Sequence, residues 1–199
     1  MSGAAAGAPS GAPHGPLDAA ALLRLVQGLR RERTRHPLTA TVLFEDAEGQ
    51  TTSYRLEMWM DGRTARCIRS DDGFRVEYAP MERTLRHVGG LDGADSTRRD
   101  ADFPSRFIPL CMATPLSLPI WGDEVGGERP LAVRGAGRDL IEVDYSTPDD
   151  GTELELAGTA VIDTRLMCAK SFTRLGGAER YTLLEPRRLT MPDWSSLLG

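Results

Sequence analysis

Lysine and histidine are scarce in this chain of 199 residues: Lys170 is the only lysine, and the histidines are His14, His36 and His87. The 24 basic residues, nearly all of them arginine, are outnumbered by 29 acidic residues, which gives a formal net charge of −5. Nucleic-acid-binding proteins as a rule carry a strongly basic face. The composition therefore argues against nucleic acid as a partner.

Cysteine is also rare, with Cys67, Cys111 and Cys168 as its only members. None of them forms a CxxC or CxxH pair, whereas a structural zinc site needs about four clustered ligands. We therefore expect no metal and no other cofactor. All three cysteines have apolar neighbours, which predicts buried free thiols. Their odd number favours a reducing compartment over a disulfide framework.

Long apolar runs are absent, and no segment approaches the roughly 18 residues of a membrane-spanning helix. The segment Met1–Pro16 is rich in Ala, Gly, Pro and Ser, and it lacks the basic and apolar regions of a signal peptide. We predict a disordered leader over 1–16 and a single domain over 17–199. As written, the chain is expected in the cytoplasm, whereas a removed export segment would place the protein outside it.

Catalytic motifs are missing as well: the chain has no GxSxG, no phosphate-binding loop and no HExxH. The acidic pairs Asp71-Asp72 and Asp149-Asp150 each precede a glycine, a pattern typical of hairpin turns. His87 lies in a candidate strand, and no serine or cysteine partner can be assigned to it. The sequence thus predicts a protein that is not an enzyme, with catalysis by His87 and a nearby acid as the less favoured alternative.

One amphipathic helix is predicted over Leu17–Arg35. Leucine and alanine recur about every four residues along it, so one face must pack against the rest of the protein. Pro16 precedes this segment and Pro37 follows it, and proline is tolerated at a helix start but disfavours helix in the residue before it. The opposite face is rich in arginine, which predicts a solvated surface.

Short runs of alternating apolar and polar residues fill most of the remaining chain, separated by Asp-Gly and Gly-Gly turn signals. They predict an antiparallel meander in two parts. Pro186 is predicted to end the last strand. The predicted strands are Leu38–Glu45, Thr51–Met60, Arg63–Ser70, Phe74–Ala79, Glu82–Val88, Leu131–Arg134, Asp139–Ser146, Thr152–Ala160, Arg165–Leu175 and Ala178–Glu185.

The middle of the chain interrupts this alternation. Gly89–Arg106 has few apolar residues and is predicted to be an exposed loop. Phe107–Trp121 is apolar but contains three prolines, which exclude a long helix. This second segment is either a buried connection across the end of the sheet or a flap over a cavity.

This order of elements resembles the LolA-like lipoprotein-carrier superfamily, which includes periplasmic lipoprotein chaperones and RseB/MucB-type regulators of bacteria. The segment Ser70–Pro80 is similar to the family pattern of Asp-Gly, an alternating strand and Tyr-x-Pro. The segments Met58–Arg63 and Val161–Leu166 are similar to family strands and turns. The resemblance spans about residues 20–190. It implies an α+β fold in which a strongly curved, unclosed antiparallel sheet, a half-barrel, wraps the N-terminal helix.

The resemblance also implies an apolar cavity on the concave face of that sheet. The ligand would be an acyl chain or a lipidated peptide. The alternative is a cytoplasmic protein-interaction or regulatory module of the same fold with a filled core and a protein partner. The residues expected to line the cavity are Val42, Phe44, Tyr54, Leu56, Met58, Met60, Val76 and Tyr78.

Overall fold

The computed structural model describes residues 18–32, 37–58, 64–89, 94–104, 106–122, 127–147 and 156–188. Within these ranges 11 strands form one antiparallel sheet that does not close on itself, preceded by an α-helix. The predicted α+β class, a curved half-barrel with an N-terminal helix, is confirmed. None of the helices in the described part of the chain is long and apolar enough to cross a membrane.

Helix α1 spans Ala19–Glu32. Asp18 caps its start, since the Asp18 Oδ1 atom accepts hydrogen bonds of 3.0 Å from the backbone N–H groups of Ala20 and Ala21. The predicted helix limits, at residues 17 and 35, lie outside the described residues. Leu25 and Leu29 are buried in the core, as the apolar stripe requires.

The first half of the sheet is a meander of six strands in chain order, joined by short turns. The turn after β3 contains Gly73 with a φ of 74°, which confirms the predicted Asp-Gly turn. The predicted loop over 89–106 contains a short strand, β6, which pairs with β5 as an exposed edge. The strands are β1 Leu38–Glu45, β2 Thr51–Met58, β3 Ala65–Arg69, β4 Arg75–Ala79, β5 Thr84–Val88 and β6 Ser96–Arg98.

The second half is a meander of five strands, and its last strand pairs with β1. The full order is therefore β6-β5-β4-β3-β2-β1-β11-β10-β9-β8-β7. Strands β6 and β7 are the two edges of the sheet within the described ranges. The strands of this half are β7 Arg129–Gly135, β8 Leu140–Ser146, β9 Leu156–Asp163, β10 Cys168–Arg174 and β11 Glu179–Arg188.

The prediction that Pro186 ends the last strand was wrong, because β11 continues to Arg188. The pairing of β11 with β1 shifts register opposite Thr39–Thr41, and Glu185 takes a φ of 48° there. A bulge of this kind leaves one residue out of the ladder, so the missing N–H of proline costs no hydrogen bond.

The segment Phe107–Trp121, which we call the cover, lies across one face of the sheet. It contains the short helix α2, Ile108–Cys111, and a 3-10 turn at Pro115–Ser117. Helix α2 contacts β2 and β3, and the 3-10 turn contacts α1. We call the sheet face under the cover the concave face. The hydrophobic core lies between this face, the cover and α1.

Candidate functional site

The register places seven of the eight predicted cavity residues on the concave face. Val42 of β1 lies opposite Tyr54 of β2, and Leu56 and Val76 both lie opposite Cys67 of β3. Side chains alternate between faces along each strand. The other three predicted residues of this group are therefore on the same face: Phe44, Met58 and Tyr78.

Four of these seven residues are buried, whereas Phe44, Tyr54 and Met58 are only partly buried. Val42 and Leu56 are fully buried, and Tyr78 is 8% exposed. The Tyr54 ring meets the edge of the Phe107 ring at a centroid distance of 5.9 Å. The eighth predicted residue, Met60, lies outside the described residues. A role of these side chains in ligand binding stays a prediction.

The cover itself is deeply buried and is bonded mainly to itself. Seven of its side chains are at most 3% exposed. Trp121 Nε1 donates a hydrogen bond of 2.7 Å to the Pro115 carbonyl, inside the cover. In the described part of the chain, the backbone hydrogen bond that joins cover to sheet runs from the Ala169 N–H to the Met112 carbonyl. Apolar packing therefore holds the cover in place. The seven side chains are those of Ile108, Leu110, Cys111, Met112, Ala113, Leu118 and Ile120.

A small pocket opens where the cover meets α1 and the end of β11. Leu29, Leu116, Met167 and Arg188 are among its lining residues, and its volume is about 10 Å³. That is the space of a single water molecule. The Thr114 Oγ1 atom, in the cover at this pocket, is buried without a hydrogen-bond partner. The pocket as it stands thus suits a bound water and not an acyl chain.

Four aromatic rings form a continuous row on the concave face of the second meander and its seam with β1. Phe44 stacks on Tyr181 at 4.8 Å, Tyr181 lies 6.2 Å from Phe172, and Phe172 stacks on Tyr145 at 5.4 Å. We call these rings the aromatic row. Phe44 was predicted as a site residue from its strand, whereas the other three join it through pairing between distant strands.

Three charged residues lie beside the aromatic row, where strands begin or end. Arg174 ends β10, Glu179 begins β11 directly opposite it, and Glu128 precedes β7. The Arg174 Nη2 atom lies 3.4 Å from Glu128 Oε1, and Nη1 lies 4.0 Å from Glu179 Oε2. We call Glu128, Arg174 and Glu179 the rim cluster. The sequence interpretation missed it, because no local pattern links these positions.

Burial and the charges of the rim cluster shift the pKa values of Glu128 and of two neighbouring tyrosines. Burial raises the pKa of Glu128, and Arg174 counteracts that rise in part. Burial, with the nearby Glu128 carboxylate, also raises the pKa of Tyr145. The pKa of Tyr181 is raised by burial and by Glu179. The aromatic row and the rim cluster are therefore neighbours, and the apolar row lies directly beside the charged cluster.

The three cysteines are free and buried, as expected. Burial raises the pKa of the Cys67 thiol, and the neighbouring Cys111 adds to that rise. Burial raises the pKa of Cys111 and of Cys168 to about 12 in each case. Neutral thiols are poor nucleophiles and poor metal ligands. Among the described residues, no group of three or more potential ligands could hold a metal ion.

His87 lies on the concave face near the β6 edge. Its ring stacks on Phe74 at a centroid distance of 6.4 Å, and its Nδ1 lies 3.4 Å from Ser96 Oγ. This contact is at the long limit of hydrogen bonding. A catalytic serine–histidine pair also needs a third group that orients the imidazole. In the described ranges, no carboxylate is bonded to His87 to supply that group.

The fold and this face define a class of protein: an open antiparallel half-barrel whose concave side is covered by its own chain. No family model matches the sequence, and no curated protein matches it. The structure is similar to that of MucB, with a TM-score of 0.54 and 16% identity over 93% of this chain. This chain spans 64% of the MucB chain.

A second solved structure with the same architecture is an uncharacterized conserved protein from Thermus thermophilus. Its TM-score is 0.52 at 12% identity, and the match covers 88% of this chain and 91% of that protein. Identities this low show a shared fold alone. They support the LolA-like and MucB-like fold that the sequence motifs indicated.

Proposed function

We propose that this protein is a non-enzymatic LolA-like binding protein that holds an acyl chain or a lipidated peptide on its concave face. The observation that carries the proposal is the way in which the cover is held. Apolar contacts are not directional, and their strength follows the area removed from water. An acyl chain can therefore replace the side chains of the cover at the cost of one backbone hydrogen bond, the bond between Ala169 and Met112.

The composition of the concave face supports this proposal. Its predicted lining combines aromatic side chains with Met58, and methionine adapts its unbranched side chain to irregular apolar partners. Burial of apolar surface is worth about 25 cal/mol per Å². Displacing the cover exposes apolar surface, and a bound acyl chain covers that surface again. The free energy of the exchange is therefore close to zero and depends on the length of the acyl chain.

The proposal is tested with the neutral fluorophore N-phenyl-1-naphthylamine, which brightens in apolar surroundings. We expect saturable binding at one site per protein, and displacement by methyl dodecanoate. Met58→Asp, on the concave face, should abolish binding. The matched control is Leu184→Asp, because Leu184 is 40% exposed and lies opposite Thr41 on the other face of the sheet. Equal losses in the two folded variants, or no saturable binding, would contradict the proposal.

A second candidate is a protein-interaction module of the same fold with a filled core. The observation that favours it is the packing of the cover, whose Leu110 and Met112 side chains are fully buried. In this case a partner protein would contact a sheet edge or the face of the sheet opposite the concave face. The concave face would then be only a part of the hydrophobic core. Recovery of one stoichiometric protein partner, together with no fluorophore binding, would favour this second function.

A further inference from the structure

The rim cluster joins oppositely charged groups to the apolar concave face. Arg174 lies two residues after Phe172 and opposite Glu179, just as Phe172 lies opposite Tyr181. Because alternate residues share a face, Arg174 and Glu179 point to the same side as the aromatic row. The side chains of Glu128, Arg174 and Glu179 are 16%, 32% and 28% exposed, so each is partly open to solvent.

The groups of the rim cluster satisfy one another only in part. The Glu128 Oε2 and Arg174 Nε atoms are buried and have no hydrogen-bond partner. Buried polar atoms in folded proteins are nearly always paired, so an exception calls for an explanation. Two carboxylates also face a single guanidinium, which leaves an excess of one negative charge within the cluster. A group that donates hydrogen bonds and carries a positive charge would satisfy the unpaired carboxylate oxygen and balance this excess.

Two tyrosines of the aromatic row, Tyr145 and Tyr181, lie next to the rim cluster. The Tyr145 hydroxyl donates a hydrogen bond of 2.6 Å to the Thr173 carbonyl, directly beside Gly158. A Cβ atom on Gly158 would lie 2.6 Å from that hydroxyl oxygen. The absence of a side chain at Gly158 therefore leaves room for the Tyr145 hydroxyl beside the rim cluster. The Tyr145 and Tyr181 residues are 0% and 9% exposed and their rings stack on Phe172 and Phe44, so they form the apolar surface beside the carboxylates.

We propose that the rim cluster binds the cationic head group of an amphipathic ligand, an ammonium or guanidinium group, whose apolar chain lies on the concave face. Glu128 and Glu179 would pair with the cation, and Arg174 would hold the two carboxylates in place. This inference rests on the proposed function, since it names the charge of the ligand that the concave face would hold.

Three decyl compounds of equal chain length test the inference by displacement of N-phenyl-1-naphthylamine. They are decylammonium, neutral 1-decanol and decyl sulfate, each used below its micelle concentration. We expect decylammonium to bind at least tenfold more tightly than 1-decanol, and decyl sulfate to bind more weakly than 1-decanol. The preference for decylammonium over 1-decanol should fall to less than threefold in the double variant Glu128→Gln, Glu179→Gln.

The matched control is Glu142→Gln. Glu142 is also a carboxylate paired with an arginine, Arg134, on a strand of the same sheet. This variant should keep the preference for decylammonium. Equal binding of decylammonium and decyl sulfate, with 1-decanol still bound, would overturn the inference and leave the proposed function intact. If none of the three displaces the fluorophore, both are overturned. Saturable binding of 1-decanol by the double variant also shows that this variant is folded.

Discussion

The backbone N–H of Ala169 in β10 donates a hydrogen bond of 2.8 Å to the carbonyl oxygen of Met112 in the cover. This bond ties the middle of the cover to the second meander, while α2 rests on β2 and β3 of the first. The cover therefore bridges both halves of the sheet. Its displacement would cost one such hydrogen bond and a large apolar contact area.

Truncation of Met112 tests how much the cover contributes to stability. Met112 is fully buried, so Met112→Ala should lower the free energy of unfolding by about 2–5 kcal/mol. The matched control is Met81→Ala, because Met81 is 79% exposed and should change stability by less than about 0.5 kcal/mol. Urea unfolding followed by circular dichroism measures both values. Equal effects would contradict the buried position of Met112.

Met112→Ala should also strengthen binding of N-phenyl-1-naphthylamine if the cover competes with the ligand. A weaker closed state makes the open state more populated, and apparent affinity rises with the fraction of binding-competent protein. The filled-core function predicts no such gain. Fluorescence titration of the variant and of Met81→Ala under the same conditions distinguishes the two.

The cysteines report on the movement of the cover. In the free protein all three thiols should react with Ellman's reagent at least ~10-fold more slowly than free cysteine, because burial raises their pKa values and blocks access. Saturating methyl dodecanoate should accelerate the reaction of Cys111, in the cover, and leave that of Cys168 unchanged. Mass spectrometry of the labelled peptides identifies each site. Acceleration of Cys168 alone would contradict displacement of the cover.

Two glycines should respond to alanine with opposite signs. A Cβ on Gly158 would lie 2.0 Å from the Thr173 carbonyl oxygen, whereas a Cβ on Gly28 in α1 meets nothing within 4 Å. Gly158→Ala should destabilise the protein by about 1–3 kcal/mol or more, since the neighbouring atom is backbone. Gly28→Ala should stabilise it by about 0.5–1 kcal/mol through helix propensity. Thermal unfolding of the two variants provides the comparison, and a tolerated alanine at 158 would count against the close approach of β9 and β10.

Glu128 should make the stability depend on pH. Burial raises its pKa in the folded state, so the protonated form favours folding, and the benefit is lost as pH rises through the folded pKa. Glu128→Gln resembles the protonated form. The variant should therefore be more stable than the natural protein at pH 7, with the difference vanishing below the ordinary glutamate pKa of about 4.3.

The control for this pH dependence is Glu185→Gln, because the Glu185 side chain is 81% exposed. Urea midpoints at pH 7 and pH 4 measure both variants against the natural protein. A loss of stability on Glu128→Gln at pH 7 would show that the ion pair with Arg174 outweighs burial. That result would also weaken the case for an unsatisfied carboxylate at the rim.

Local alternation was enough to predict most strands and the shared face of Tyr54, Leu56 and Met58, because strand periodicity depends only on neighbouring residues. Local turn chemistry placed the Asp72-Gly73 turn for the same reason. The strand end at Pro186 could not be predicted in this way. A bulge depends on which strand lies alongside, and β1 is far away in sequence.

The rim cluster was out of reach of sequence patterns for a similar reason. Glu128 and Arg174 are 46 positions apart, and they meet only because strands β7 to β10 lie side by side in the sheet. For the apolar, proline-broken sequence of the cover, two interpretations were open: a buried connection across the end of the sheet, or a flap over a cavity. Whether it rests on the sheet as a fixed connection or as a movable flap depends on tertiary contacts that periodicity does not encode.

The pairing of β1 with β11 has a consequence for how the chain folds. Each meander joins strands that are consecutive in sequence, and the β1–β11 pair is the link between the two meanders within the described sheet. Pairings distant in sequence form slowly, because the intervening chain must first be ordered. We therefore expect the amides that bond across the β1–β11 pair to gain protection from hydrogen exchange last during refolding, after the amides that bond within the hairpins on either side.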